Sequence, residues 1–174
     1  MKTIEIIKTG LHFQSWGEIY CGCKANWITP EDVLVLLRDN KVDHADEKDF
    51  VSLYLALDES YYQFLEQLKS LLYREEGIVI SKNEDELSDI VFDYIPSKFF
   101  KIWELEFLME IINSPLLVSE KLNQVALLFD EMNYPEEWKP FLFYQQQKDG
   151  CYLDEKTLYQ NLNNYVESQK RLFA

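Results

Sequence analysis

The scarcity of turn-forming residues constrains this chain most strongly, because its 174 residues include only five glycines and five prolines. Between these breaks, apolar residues recur every three or four positions, which is the period of an amphipathic helix. The short branched run from Ile78 to Ile80 has no partner run, so it predicts extended or turn backbone. We therefore predict an all-α fold, an irregular multi-helix bundle of about seven helices with at most a minor β element.

Several helix starts and ends are marked by local signals. The stretch from Thr29 to Asp32 places a hydroxyl cap, a proline and two acids in the order that favours a helix start. Ser114 and Pro115 repeat the cap-and-proline signal, and Gly77 predicts a helix end. Between Gly77 and Ser114, a helix is predicted from Lys98 to Asn113. Apolar residues cover most of its circumference, so this helix needs neighbours on more than one side.

The length and composition suit one domain. A chain of 174 residues with 47% hydrophobic content can build a sizeable core, so we predict a single helical domain over residues 1–174. The longest apolar runs are five residues, far below the roughly 18 of a membrane span, and no signal-peptide pattern follows Met1. Three cysteines, two of them spaced as Cys21-Gly22-Cys23, disfavour a disulfide. We expect a cytoplasmic protein with reduced thiols.

The charge balance limits the classes of partner. The chain has 31 acidic residues against 17 Lys and Arg, which gives a formal net charge of -14. A protein this acidic lacks the excess of cations that neutralises phosphates, so we expect no binding to nucleic acid and none to membranes. A basic protein is the partner that such a charge attracts.

The sequence contains no recognisable catalytic or metal-binding motif. Cys21 and Cys23 are separated by one residue, whereas paired zinc ligands are usually separated by about two to four. Only two histidines occur, and neither belongs to a Glu-x-x-His motif or a nucleophile signature. Glycine-rich phosphate loops are absent. We therefore expect a non-enzymatic protein without cofactor or metal, and an enzyme with a diffuse carboxylate site is the alternative.

The first candidate binding surface is an acidic segment without any base. Three of its acids are spaced four residues apart, and like charges at this spacing cost an isolated helix about 0.2 to 0.5 kcal/mol per pair. A basic partner could offset this cost, whereas a solvated helix face is the alternative interpretation. The candidate partner-binding residues are Glu84, Asp85, Glu86, Asp89 and Asp93.

The second candidate surface places acids beside large rings near Pro135. Interfaces are enriched in Tyr and Trp anchors, which favours binding. The alternative is that Tyr134 and Trp138 pack inward across two helices. Asp130, Glu131 and Tyr134 belong to this region, and its predicted partner-binding residues are Glu136, Glu137 and Trp138.

Two stretches of the chain carry a family resemblance. Residues 27–33, Trp-Ile-Thr-Pro-Glu-Asp-Val, and residues 129–137, Phe-Asp-Glu-Met-Asn-Tyr-Pro-Glu-Glu, resemble an uncharacterised family of small bacterial helical proteins, domain of unknown function 2247. The resemblance implies no catalytic residues. It implies an association with polymorphic toxins, because members of such families are often encoded beside them and small acidic proteins neutralise the toxin domains.

The leading functional hypothesis is therefore a protein-binding protein that neutralises a toxin domain through an acidic surface. Complementary charge would give fast and selective association with a basic toxin, as in the barnase and barstar pair that is the standard example of this principle. The alternative is a helical module with a structural or regulatory role that forms a homo-oligomer through apolar surface.

Overall fold

A computed structural model of the chain describes residues 10–80, 95–142 and 153–174. These residues form seven α-helices and two 3-10 helices, and their only β pairing outside the helices is a single bridge between Phe13 and Val42. The predicted all-α fold is confirmed. The α-helices are α1 (Trp16–Lys24), α2 (Pro30–Arg38), α3 (Glu47–Glu59), α4 (Tyr61–Glu76), α5 (Lys101–Asn113), α6 (Val118–Glu131) and α7 (Glu155–Phe173), and the 3-10 helices are Ser97–Phe100 and Glu136–Phe141.

The predicted local signals at α2 and α4 are confirmed. The Thr29 hydroxyl accepts from the Asp32 N–H at 3.1 Å, and the Asp32 carboxylate accepts from the Thr29 N–H at 2.9 Å. This reciprocal pair satisfies two backbone donors that the helix start would otherwise leave without partners. Gly77 ends α4 with a φ of 67°, in the left-handed region that glycine enters without a Cβ penalty.

The predicted helix start at Ser114 and Pro115 is wrong. The Ser114 hydroxyl donates to the Ile111 carbonyl at 2.6 Å, so this residue closes α5 instead of opening the next helix. α6 begins at Val118, where the Glu120 carboxylate accepts from the Leu117 N–H at 2.9 Å. A serine beside a proline can serve either end of a helix, and its position in the sequence does not decide which.

The chain divides into two compact units. The first consists of Met1–Trp103 together with Phe173–Ala174, and the second consists of Glu104–Leu172. The boundary falls within α5. The prediction of a single domain over residues 1–174 stays a prediction.

Close contact between α1 and an aromatic ring organises the first unit. A Cβ on Gly22 would lie 2.2 Å from the Trp103 ring, so only glycine fits at this position. The Trp103 Nε1–H donates to the Glu18 carbonyl at 2.8 Å, and the rings of Phe13 and Trp27 lie 5.3 and 5.5 Å from its ring. Trp103 is therefore a packed and hydrogen-bonded core residue.

In the same unit, α3 and α4 form an antiparallel hairpin joined by Ser60. The Asp49 carboxylate is buried on α3 and pairs with Arg74 of α4 at 3.0 Å. Farther along, Gln67 donates to the Ser52 hydroxyl at 3.1 Å. Leu53 is fully buried on the same side of α3. These contacts fix which face of α3 is turned towards the protein.

In the second unit, aromatic rings connect the 3-10 helix Glu136–Phe141 to α6 and α7. The Trp138 ring lies 6.4 Å from Phe129 and 6.1 Å from Phe141, whose ring is in turn 5.2 Å from Tyr165. The Asn161 side chain donates to the Pro140 carbonyl at 2.9 Å. The short helix therefore has a fixed position on the two longer ones.

Candidate functional site

The second unit exposes an acidic surface where α6 ends and the 3-10 helix begins. We call this surface the acidic corner. Its acids precede and follow one exposed tyrosine in the sequence, within a stretch of eight consecutive positions. The exposed residues of the acidic corner are Asp130, Glu131, Tyr134, Glu136 and Glu137.

Two acids of the corner oppose the local helix electrostatics. Asp130 and Glu131 lie in the last turn of α6, which contains no basic residue. The C-terminal end of a helix carries partial negative charge, so acids there are unfavourable and cations are favourable. These two residues therefore do not serve the stability of α6.

Tyr134 has a fixed and unusual conformation. Its φ is 58°, and the preceding Asn133 has a φ of 60°, so two consecutive residues occupy the left-handed region. The Tyr134 N–H donates to the Phe129 carbonyl at 2.9 Å, and the Tyr134 ring packs edge-on against the Phe129 ring at 5.3 Å. Although held in this way, the Tyr134 side chain is 58% exposed. The turn therefore presents an aromatic ring to the outside in one orientation.

The structure separates the three residues predicted for this region. Glu136 and Glu137 are exposed, and Glu136 pairs with Lys139 at 2.6 Å. Trp138 is 0% exposed and packs among aromatic rings, so its prediction as a surface anchor is wrong and the inward alternative holds for it. The physical reason is that the left-handed turn at Asn133 and Tyr134 directs Tyr134 outward before the 3-10 helix turns Trp138 into the core.

The other predicted surface lies outside the described residues. It consists of Glu84, Asp85, Glu86, Asp89 and Asp93.

The first unit exposes an apolar surface that the sequence analysis missed. Val51, Tyr54 and Leu55 of α3 are 53%, 55% and 59% exposed. Offsets of three and four residues return to the same side of a helix, so these residues share one face. We call this face the α3 stripe. A signal for it was present in the sequence, because Ser52 is the only polar residue from Phe50 to Leu57. This segment therefore has more apolar residues than a helix with a single buried face requires.

A group of carboxylates surrounds the start of α1. The Glu18 carboxylate accepts from the Gln14 N–H at 2.8 Å, and the Glu75 carboxylate accepts from the Trp16 N–H at 2.9 Å and the Ser15 hydroxyl at 3.1 Å. Burial raises the pKa of Glu18 to about 7, against the hydrogen bonds that its carboxylate accepts from the Gln14 and Ser15 backbone N–H groups, and the neighbouring charges of Glu75 and Asp43 raise it further. The two carboxylates cap the helix, and this arrangement explains their positions without a substrate.

The thiols described in the structure are chemically shielded. Cys21 and Cys23 are buried and unpaired, and burial raises the pKa of both thiols far above the ordinary value. A protonated and buried thiol is neither a nucleophile nor a metal ligand. Across residues 10–80, 95–142 and 153–174, no group of three His, Cys, Asp or Glu side chains could hold a metal ion.

The comparisons place the chain in a family. Within the described ranges, every helix is either too short or too polar to cross a membrane. A search of curated proteins and a search of solved structures return no match. The family model described as "Uncharacterized protein conserved in bacteria (DUF2247)" matches residues 4–170, which is nearly the whole chain. The chain therefore belongs to the bacterial family DUF2247, as its two sequence stretches predicted.

Proposed function

We propose that the chain is a non-enzymatic protein that binds a basic protein through the acidic corner, and that this partner is a toxin domain that it neutralises. The main supporting observation is that the exposed acids Asp130 and Glu131 lie at the C-terminal end of α6, where the helix dipole disfavours negative charge. Residues that break a local stability rule without local compensation are expected at functional surfaces. That the basic partner is a toxin domain is the more specific part of the proposal, and the family resemblance supports this part.

The corner has the two components that a specific interface needs. Tyr134 offers a ring that is already held in place by Phe129, so binding costs little side-chain entropy. The acids around this ring form a rim that can pair with Lys and Arg of a partner. A net charge of -14 also attracts basic proteins over a distance and speeds their association at low salt.

The test compares two variants of equal charge. The first variant, Asp130→Lys with Glu131→Lys, reverses the charge of two acids of the corner. Both residues lie at the C-terminal end of α6, where cations are favourable, so the variant should be at least as stable as the unmodified chain. The matched control is Glu110→Lys with Glu167→Lys, which reverses two exposed acids that lie elsewhere in the same unit and away from any helix start. Both variants change the net charge by the same amount.

Each immobilised protein is exposed at low salt to a lysate of the bacterium that encodes it, and captured proteins are identified by mass spectrometry. We expect the unmodified chain and the control to capture one basic protein encoded nearby. The corner variant should capture roughly tenfold less, because close charge pairs across an interface contribute more than about 1.4 kcal/mol. Equal capture by both variants would refute a role for the corner, and capture of nothing specific by the unmodified chain would refute the basic partner.

The alternative function is self-association, and the α3 stripe is the observation that favours it. Exposed apolar surface of this kind occurs at protein interfaces more often than on monomers. Light scattering across a range of concentrations and salt separates the two functions. A dimer that forms with rising concentration and is insensitive to salt would support self-association, whereas a monomer at all concentrations would exclude it.

A further inference from the structure

Two carboxylates from the same helix start belong to different helices. The Glu18 carboxylate of α1 accepts from the Gln14 N–H at 2.8 Å, and the Glu75 carboxylate, in the last turn of α4, accepts from the Trp16 N–H at 2.9 Å. Glu75 also accepts from the Ser15 hydroxyl at 3.1 Å. The donors belong to three consecutive residues, so both carboxylates serve the start of α1, whose partial positive charge favours a negative group.

The two carboxylates differ in their freedom to move. Glu18 is 4% exposed, and its backbone carbonyl accepts from the Trp103 indole N–H at 2.8 Å, so this residue is fixed inside the first unit. Glu75 is exposed and lies two positions before Gly77, the residue that ends α4. The Glu75 side chain can therefore leave the helix start and reach water by a change of rotamer, whereas the Glu18 side chain cannot.

The charges that act on Glu18 are negative. They are those of Glu75 and of Asp43. Within residues 10–80, 95–142 and 153–174, no Lys or Arg side chain forms an ion pair with Glu18 or Glu75. A like charge nearby disfavours the ionised form of a buried carboxyl, so the two helices bring together groups that resist being charged at the same time.

The basic side chains at the edge of this group already have other partners. Lys98 pairs with Glu76, and the His12 Nδ1 lies 3.4 Å from the Asp43 carboxylate. On α1 itself the Cys21 thiol is neutral, because burial raises its pKa far above the ordinary value. In the described part of the chain, a negative charge on Glu18 therefore has no cation of its own to balance it.

Glu18 changes its charge near neutral pH. Burial raises its pKa to about 7, against the hydrogen bonds from the Gln14 and Ser15 N–H groups, and the charges of Glu75 and Asp43 add to the rise. When Glu18 is protonated, Glu75 is the charged cap of α1. When Glu18 is ionised, two like charges compete for one helix start, and the exposed one gains hydration by leaving.

We infer that Glu18 and Glu75 form a proton-controlled latch between α1 and α4. Glu75 caps α1 while the Glu18 carboxyl is protonated, and the Glu75 side chain turns into solvent when Glu18 loses its proton. Opening leaves the Trp16 N–H and the Ser15 hydroxyl without this carboxylate, which removes a tie between the end of α4 and the start of α1. The latch lies in the first unit and uses no residue of the acidic corner, so it does not depend on the proposed function.

Amide hydrogen exchange, followed by NMR from about pH 5.5 to about pH 8.5, spans the Glu18 transition by more than one unit on each side. Rates are corrected for the intrinsic effect of pH on exchange. The Trp16 N–H should lose protection roughly fivefold as the pH rises through this transition, the size expected when a helix loses one cap. The Asp32 N–H donates to the Thr29 hydroxyl, which does not titrate, so it is the internal control and should keep its protection.

Three variants assign the transition. Glu18→Gln keeps the shape of the side chain but cannot ionise, so the Trp16 N–H should stay protected across the whole range. Glu75→Gln keeps an oxygen acceptor without a charge, so it too should remove the transition. His12→Asn removes the imidazole beside Asp43 and should leave the transition in place. Circular dichroism checks that each variant is folded.

Each of the other outcomes overturns the inference. Protection of the Trp16 N–H that stays constant with pH in the unmodified chain would show that Glu75 remains on the helix when Glu18 ionises. A transition that persists in Glu18→Gln or Glu75→Gln, or that disappears in His12→Asn, would assign it to another group. Parallel losses at the Trp16 and Asp32 N–H groups would mean a general loss of stability instead of a latch.

Discussion

Helices α3 and α5 have similar apolar patterns in the sequence but differ in how much of each helix is buried. In both, apolar residues cover most of the circumference, which indicates a helix with neighbours on more than one side. All residues from 102 to 109 of α5 are buried, whereas α3 buries only Leu53 and Asp49 and leaves its stripe exposed. The comparison shows that the spread of apolar residues around a helix predicts how many of its sides pack against other residues. It does not predict whether the covering residues belong to the same chain.

The largest expected effect is on the buried helix. Trp103→Ala should lower the free energy of unfolding by about 3 to 5 kcal/mol, because it leaves a cavity beside Gly22 and removes the hydrogen bond to the Glu18 carbonyl. Urea denaturation measures the loss. Tyr54→Ala on α3 is the contrasting substitution of a large ring, and its cost should be near zero. A similar cost for both rings would abolish the distinction between the two helices.

The next effect depends on pH and concerns the buried carboxyl of Glu18, the residue whose backbone carbonyl accepts from Trp103. The pKa of Glu18 is about 7 in the folded protein, above its ordinary value of 4.5, so the folded state holds this proton more tightly than the unfolded state. Its contribution to stability is therefore complete below pH 4.5 and is lost as the pH rises to 7. Glu18→Gln should remove this loss and stabilise the protein at pH 7.5 by about 1 to 3 kcal/mol.

Urea midpoints at pH 5 and pH 7.5 provide the measurement. The matched control is Asp58→Asn, which also removes one negative charge, at an exposed position of α3, and so reports the effect of the change in net charge alone. If Glu18→Gln is less stable than the unmodified chain at pH 7.5, the carboxylate is stabilised by its caps more than it is disfavoured by burial.

These contrasts show which features a sequence can predict. The cap at Thr29 and the stop at Gly77 are predictable because each depends on a few neighbouring backbone groups. The direction of Trp138 is not, because it depends on two consecutive left-handed residues, one of them a tyrosine that rarely adopts this conformation. The exposed acids of the corner could be predicted from composition and position. The α3 stripe could be suspected from its excess of apolar residues, but its exposure depends on tertiary packing that no local pattern specifies.

A smaller effect is expected on the inner side of α3. Arg74→Met removes the partner of the Asp49 carboxylate, which is 2% exposed, while Arg74 itself is largely exposed. The cost should be about 1 to 2 kcal/mol, since a buried charge loses its counter-ion but water screens the arginine side of the pair. Urea denaturation of Arg74→Met, Asp49→Asn and the double variant measures the coupling. A coupling near zero would show that the ion pair does not contribute to anchoring this face of α3, which would leave Leu53 and the Gln67–Ser52 hydrogen bond.

The smallest expected effect is on the stripe itself, and it tests the comparison most directly. If the exposed face of α3 serves a partner and not the fold, Val51→Ser should change the free energy of unfolding by no more than about 0.5 kcal/mol, the cost of an ordinary surface substitution. Leu53→Ser, two positions away on the buried face, should cost several times more, because it places a hydroxyl in an apolar site and leaves a cavity. The two variants share one helix and differ in the face they alter. Helix propensity hardly changes in Val51→Ser and costs only a few tenths of a kcal/mol in Leu53→Ser, so it does not account for a difference of several-fold. A cost for Val51→Ser that approaches that of Leu53→Ser would mean that the chain covers its own stripe in solution, and α3 would then resemble α5 after all.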